Sequence, residues 1–194
     1  MSLLPTESLD ELLGKVVISK EWSQAQADFN SSEVIYVIGN GGNLAVADHG
    51  AVDITRLSKK LAIAPGSGIL ATSIIGDSSF NDWFTNWLSA NIQPASAIKN
   101  KGMVIGISSS GTASNIVKCL SHANEQGMKT LMISARNITG LADINTVCIG
   151  TDYYHTGEVI SLMLFYQLVH GSGCSCPSIS QKLNEPSFDR LVHP

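Results

Sequence analysis

The chain has 194 residues, enough for one well-formed core, and 44% of it is hydrophobic while only 14% is charged. A net charge of −4 with scattered basic residues argues against a nucleic-acid-binding face, and the sparse charge leaves surface for oligomer formation. No apolar run reaches the roughly 18 residues a bilayer crossing needs, and the polar N-terminus lacks a signal-peptide pattern, so the expectation is a cytoplasmic protein.

Residues 8–29 read as a helical region. Ser8 and Glu11 have capping-box spacing, and Leu9, Leu12, Leu13, Val16 and Val17 form one apolar stripe. Trp22, Ala25 and Phe29 continue that face after a bend. Val34-Ile35-Tyr36-Val37-Ile38 then reads as a buried strand, stopped by Gly39-Asn40-Gly41-Gly42-Asn43, with a helical run from Leu44 to about Lys59. Glycines at a strand end permit positive φ and a close backbone approach to a bound anion, and the amides opening the next helix point outward unpaired. The loop is neither a Walker loop, since no Gly-Lys-Ser/Thr follows, nor a dinucleotide fingerprint, since its glycines do not fall at G-x-G-x-x-G; no nucleotide cofactor is expected.

Leu61–Ala64 reads as a short strand ended by Pro65-Gly66-Ser67-Gly68, and Ile69–Ile75 as a further strand. Gly76-Asp77-Ser78-Ser79 turns into a helix whose Phe80, Trp83, Phe84, Trp87 and Leu88 belong to the core or a subunit interface. Met103–Ile107 is a second apolar strand, followed at once by Ser108-Ser109-Ser110-Gly111-Thr112 and a helix from about Ala113 to Gln126. One serine caps a helix, but four hydroxyls in five residues exceed that need and suit a phosphate group. Thr130–Ser134 and Val147–Ile149 read as strands flanking a loop at Ala135-Arg136-Asn137 and a short helix at Thr139–Asp143; a last helix spans Thr156–His170. Residues 171–194, with three prolines, read as an irregular tail. Alternating strands and helices imply a parallel sheet with right-handed crossovers, whose ligand crevice lies at the carboxyl ends of the strands, where both unusual loops fall.

These paired loops, Gly39-Asn40-Gly41-Gly42 opening a helix that carries His49 and Ile107-Ser108-Ser109-Ser110-Gly111 opening another, resemble the sugar isomerase (SIS) domain, and within it the phosphoheptose isomerase group. The likeness runs from about Val34 to about His170. It implies a three-layer αβα sandwich on a five-stranded parallel sheet of flavodoxin-like order, one SIS domain over 1–170, and a homotetramer. It also implies an aldose–ketose isomerase acting on a sugar phosphate such as sedoheptulose 7-phosphate, with Asn40, Gly41, Gly42, Asn43, Asp77, Ser108, Ser109, Ser110 and Thr112 at the substrate.

His49 and Asp53, at i and i+4, share a helix face; such a pair either makes a surface hydrogen bond or holds a catalytic group or metal. By resemblance His49 matches a metal-binding histidine, Asp53 stands where the family has a catalytic glutamate, and Glu158 falls on a Gln or Glu metal ligand. His49, Asp53 and Glu158 are therefore expected to converge, with Zn2+ as the implied metal. Tyr166 falls where the family has a catalytic histidine, with a pKa near ~10 that makes it a poor base at neutral pH, and His155 is the nearest imidazole. Asn43 replaces a phosphate-contacting serine and Ala113 a second hydroxyl. The alternative reading is a non-catalytic SIS module that binds a sugar phosphate or a protein partner, of the regulatory or replication-initiator-associating type. Cys119 and Cys148 read as buried thiols; Cys174 and Cys176 lack the further ligands zinc would need.

Overall fold

Five parallel strands form a sheet in the order β2-β1-β3-β4-β5. A computed structural model describes residues 7–92 and 101–178. The elements are α1 (Leu9–Val17), α2 (Lys20–Ser31), β1 (Val34–Gly39), α3 (Gly42–Leu57), β2 (Leu61–Ile63), α4 (Gly68–Asp77), α5 (Trp83–Ile92), β3 (Gly102–Ser108), α6 (Ser114–Glu125), β4 (Lys129–Ser134), β5 (Asn145–Cys148) and α7 (Tyr154–Gly171). The N-terminal helical region is two helices. Ser8 accepts from the Glu11 amide to start α1, and Ser19 accepts from the Trp22 amide to start α2, so the bend is a second N-cap.

β1 and β3 are buried along their whole length, as strands covered on both faces must be. Alternate side chains divide the core. Ile35, Val37, Ile105, Ile107, Leu131 and Val147 pack toward α1, α2, α3 and α7. Tyr36, Ile38, Val104 and Met132 pack toward α5 and α6, where Trp83, Phe84, Trp87, Ile116 and Leu120 meet them. The result is the expected three-layer αβα architecture.

Two expected elements differ. Ile69–Ile75 lies within the helix α4, not in a strand. The chain leaves β2 at the sheet edge and must return beyond β1 to β3, and a parallel connection of that kind is made by helices. Residues 139–143 form a bend and turn and not a helix, because Gly140 sits at φ +91° and breaks the run. Residues 171–178 leave the end of α7 without further regular structure; the rest of the expected tail lies outside the described residues.

Candidate functional site: two loops and two helices at the strand ends

Strand order reverses at β1 and β3, which pair directly, with Gly39 beside Ile107. Each strand feeds a helix on the opposite face of the sheet, which opens a crevice between the two loops. A Cβ at Gly39 would fall 2.5 Å from the Asn43 carbonyl oxygen, so only glycine allows the chain to fold back this tightly. Gly41 takes φ +58° and Gly111 φ +70°, in the left-handed region.

Side chains staple the two loops together. Asn43 Nδ2 donates to Ser109 Oγ at 3.1 Å, and Asn40 and Asn115 exchange two amide hydrogen bonds of 2.9 Å each. Ser110 Oγ accepts from the Thr112 amide at 3.2 Å and from the Thr112 hydroxyl at 3.1 Å. Ser108 is buried, Ser109 half-buried, and Ser110 and Thr112 exposed. The hydroxyls of Ser109, Ser110 and Thr112 thus stand beside the first turn of α6, where unpaired amides favour an anion.

A second cluster lies where α3 packs on α7. Gly50 permits the close approach, since a Cβ there would fall 2.4 Å from the Phe165 ring. Asp53 Oδ1 accepts from Arg56 Nε at 3.2 Å and from its terminal nitrogen at 2.8 Å. Asp53 Oδ2 accepts from the Tyr166 hydroxyl and lies 3.1 Å from His49 Nε2, which is itself 3.4 Å from the Tyr166 hydroxyl. Burial pushes the Asp53 carboxyl up, but hydrogen bonds from Tyr166 and Arg56 and the charges of Arg56 and His49 outweigh it and hold it below the usual carboxylate range. The hydrogen bond to Asp53, then burial, then the Asp53 charge push the Tyr166 phenol up to about 12. Tyr166 is therefore a donor at neutral pH and not a base.

Glu158 does not join this cluster. Its carboxylate lies against the start of α3, where a Cβ on Gly42 would fall 2.2 Å from Glu158 Oε1. Seven residues separate Gly42 from His49, about 10.5 Å along a helix. The expected convergence of His49, Asp53 and Glu158 is thus corrected: α3 and α7 run side by side in one direction, with Glu158 and Gly42 at one end and Tyr166, His49 and Asp53 at the other. Among the described residues no three His, Cys, Asp or Glu side chains are placed to hold a metal ion, so the residues present in one chain do not fit the implied zinc. Asp77 is exposed at the end of α4, and His155 sits in the first turn of α7 with its ring centroid 5.4 Å from that of Tyr153.

Residues 20–135 match the SIS domain family. The chain belongs to the SIS family. A probable phosphoheptose isomerase of Thermoplasma volcanium is 32% identical over 141 residues, covering 70% of this chain and 67% of that protein. The phosphoheptose isomerase of Syntrophotalea carbinolica is 26% identical over 162 residues, covering 79% and 76%. The solved structure of the Neisseria gonorrhoeae phosphoheptose isomerase superposes with a TM-score of 0.72 at 19% identity, over 85% of this chain and 91% of that one, which speaks for the fold alone. The protein is phosphoheptose isomerase-like within the SIS family.

Sequence reasoning missed three participants in these two clusters. Arg56 stands three residues after Asp53, a spacing that places them on one helix face and was open to view. Asn115, the partner of Asn40, carries no local signal, because the pairing spans two loops. The Cys176 thiol lies 3.8 Å from the Tyr166 carbonyl oxygen, a contact that depends on how the chain turns after α7. Cys119 is buried, as expected, while Cys148 is only half-buried.

Proposed function

We propose that this SIS protein is an aldose–ketose isomerase acting on a sugar phosphate, with a seven-carbon sugar such as sedoheptulose 7-phosphate as its first candidate substrate. The observation that carries the reading is the stapling of the hydroxyl-rich loop after β3 to the glycine-rich loop after β1, beside helices that carry carboxylates and an imidazole. Ser108, Ser109, Ser110 and Thr112 take the phosphate with the amides of α6; Asn40, Gly41, Gly42 and Asn43 close the other side, and Asp77 contacts the sugar. Isomerisation moves a proton between neighbouring carbons through an enediol, which needs a base and a group that polarises the carbonyl. Asp53, Glu158 and His155 supply base candidates, and Tyr166 a hydrogen-bond donor.

The working form is a homo-oligomer, a tetramer by kinship. The α4 sequence supports this: it has no buried residue in the single chain, and Ile69 on it is 83% exposed. Light scattering at micromolar concentration tests the assembly, and a monomer would remove it.

Two observations favour a second reading, a non-catalytic sugar-phosphate binder. Both oxygens of Asp53 are already engaged, and the residue in the histidine position is a phenol that stays protonated. Incubation with pentose to heptose phosphates, followed by NMR, decides between the two. Interconversion of one phosphate pair is the expected result; binding of a sugar phosphate without interconversion selects the second reading.

A further inference from the structure

The carboxylates of α3 and α7 differ in what they have left to offer. Asp53 is buried and saturated, with one oxygen on Arg56 and the other shared by Tyr166 and His49. Taking a proton from carbon requires a lone pair aimed at the substrate, and Asp53 would have to release Tyr166 to provide one. Asp48, also on α3, is turned toward Gly66 in the connection from β2 to α4.

Glu158 is the opposite case. Among the described residues it has no hydrogen-bond or ion-pair partner, and it is half-buried. Its carboxylate rests on the first residue of α3, the space beside it being open because Gly42 has no Cβ. The next residue, Asn43, donates to Ser109 of the phosphate loop. A sugar whose phosphate sits on that loop therefore passes Glu158.

We propose that Glu158, and not the residue in the family's glutamate position, is the carboxylate that moves the proton, and that Gly42 is a positioning residue that keeps its place open. This rests on the isomerase reading above. Glu158 takes the proton from the carbon next to the carbonyl; the C–H electron pair becomes the C=C bond of the enediol, and the carbonyl pair moves to oxygen, which takes a proton from solvent water. The same carboxyl returns its proton to the neighbouring carbon as the second hydroxyl gives its own back to solvent water and becomes the new carbonyl. No oxidant, reductant or co-reactant enters.

The test is exchange of the substrate C–H with solvent deuterium, followed by NMR, with sugar-phosphate binding measured in parallel by calorimetry. Glu158→Gln lowers exchange by about 100-fold or more, the usual contribution of such a group, with Kd within threefold of the parent. Gly42→Ala lowers exchange in the same direction, because its Cβ displaces the carboxylate. Asp53→Asn costs at least tenfold less exchange than Glu158→Gln. Exchange within tenfold of the parent in Glu158→Gln, or the reverse order of Glu158 and Asp53, overturns the assignment while leaving the isomerase reading intact. A parent protein that binds sugar phosphates without exchanging any C–H overturns both. A Glu158→Gln protein that loses thermal stability but not exchange shows a helix cap and nothing more.

Discussion

Asn40 and Asn115 face each other across the gap between β1 and β3, each Nδ2 donating to the other's Oδ1 at 2.9 Å. One sits in the loop before α3 and the other in the first turn of α6, so the pair ties the two helical layers together above the sheet edge. Both amides are engaged with each other along that pair.

Asn115→Ala leaves the half-buried Asn40 amide without this partner. The expected cost is about 1–3 kcal/mol of folding stability, the scale for orphaning a buried polar group, read from urea unfolding. Sugar-phosphate affinity falls with it, since the loops lose their fixed separation. A variant as stable as the parent would show that water replaces Asn115 at no cost.

Ser110→Ala removes an exposed hydroxyl that accepts from Thr112. Loss of a hydrogen bond to a charged group is expected to weaken sugar-phosphate binding by roughly 1–3 kcal/mol in calorimetry. Binding of the unphosphorylated sugar should hardly change; equal losses for both ligands would mean that the loop acts through folding.

Asp53 and Tyr166 set opposite ends of the pH profile of stability. Asp53 has a folded pKa below its unfolded value near ~3.9, so its contribution is present above that value and is lost as acid carries the pH down through the folded pKa. Tyr166 has a folded pKa raised to about 12, so its contribution is complete below the unfolded pKa and is lost as pH rises toward that value. Asp53→Asn should flatten the acid limb and Tyr166→Phe the alkaline limb in thermal melts. Unchanged limbs would place the measured pH dependence elsewhere.

Gly50→Ala puts a methyl group into the Phe165 ring. Overpacking of this kind costs about 1–3 kcal/mol, and here it also pushes α7 off α3. Urea unfolding measures the first effect and loss of Tyr166's high-pH titration the second.

Zinc is expected to give no His49-dependent rise in melting temperature, because among the described residues of one chain only Asp53 joins His49 as a metal-competent neighbour. A rise in the parent that Ala in place of His49 abolishes would show that a neighbouring copy completes the ligand set.

The sheet and its two loops were legible because an apolar run that halts at glycine or serine leaves few options: Val34–Ile38 before Gly39 and Met103–Ile107 before Ser108 became β1 and β3. Ile69–Ile75 was not, since a short apolar run rich in isoleucine has no period to separate strand from helix; the crossover it serves decided the matter. Around the site, the i, i+4 pairing of His49 and Asp53 held because it is internal to one helix. The place of Glu158 did not follow, although part of it was readable. Glu158 and Tyr166 are eight residues apart on α7, about 12 Å, too far for both to touch one ion. Which of them meets Asp53 depends on how α7 slides along α3, and that is settled by Gly50 under Phe165.

The pairing of β1 with β3, Ile38 beside Gly106 and Gly39 beside Ile107, also makes the crevice a gauge. Neighbouring strands stand about 4.8 Å apart, and a slip of one residue would turn every buried side chain to the wrong face. The strand ends beneath the mouth are therefore spaced by the backbone ladder, and the Asn40–Asn115 pair carries that spacing up into the loops. Replacing a hydroxyl at the mouth would then alter what is grasped, while the spacing of the strand ends beneath it stays the same.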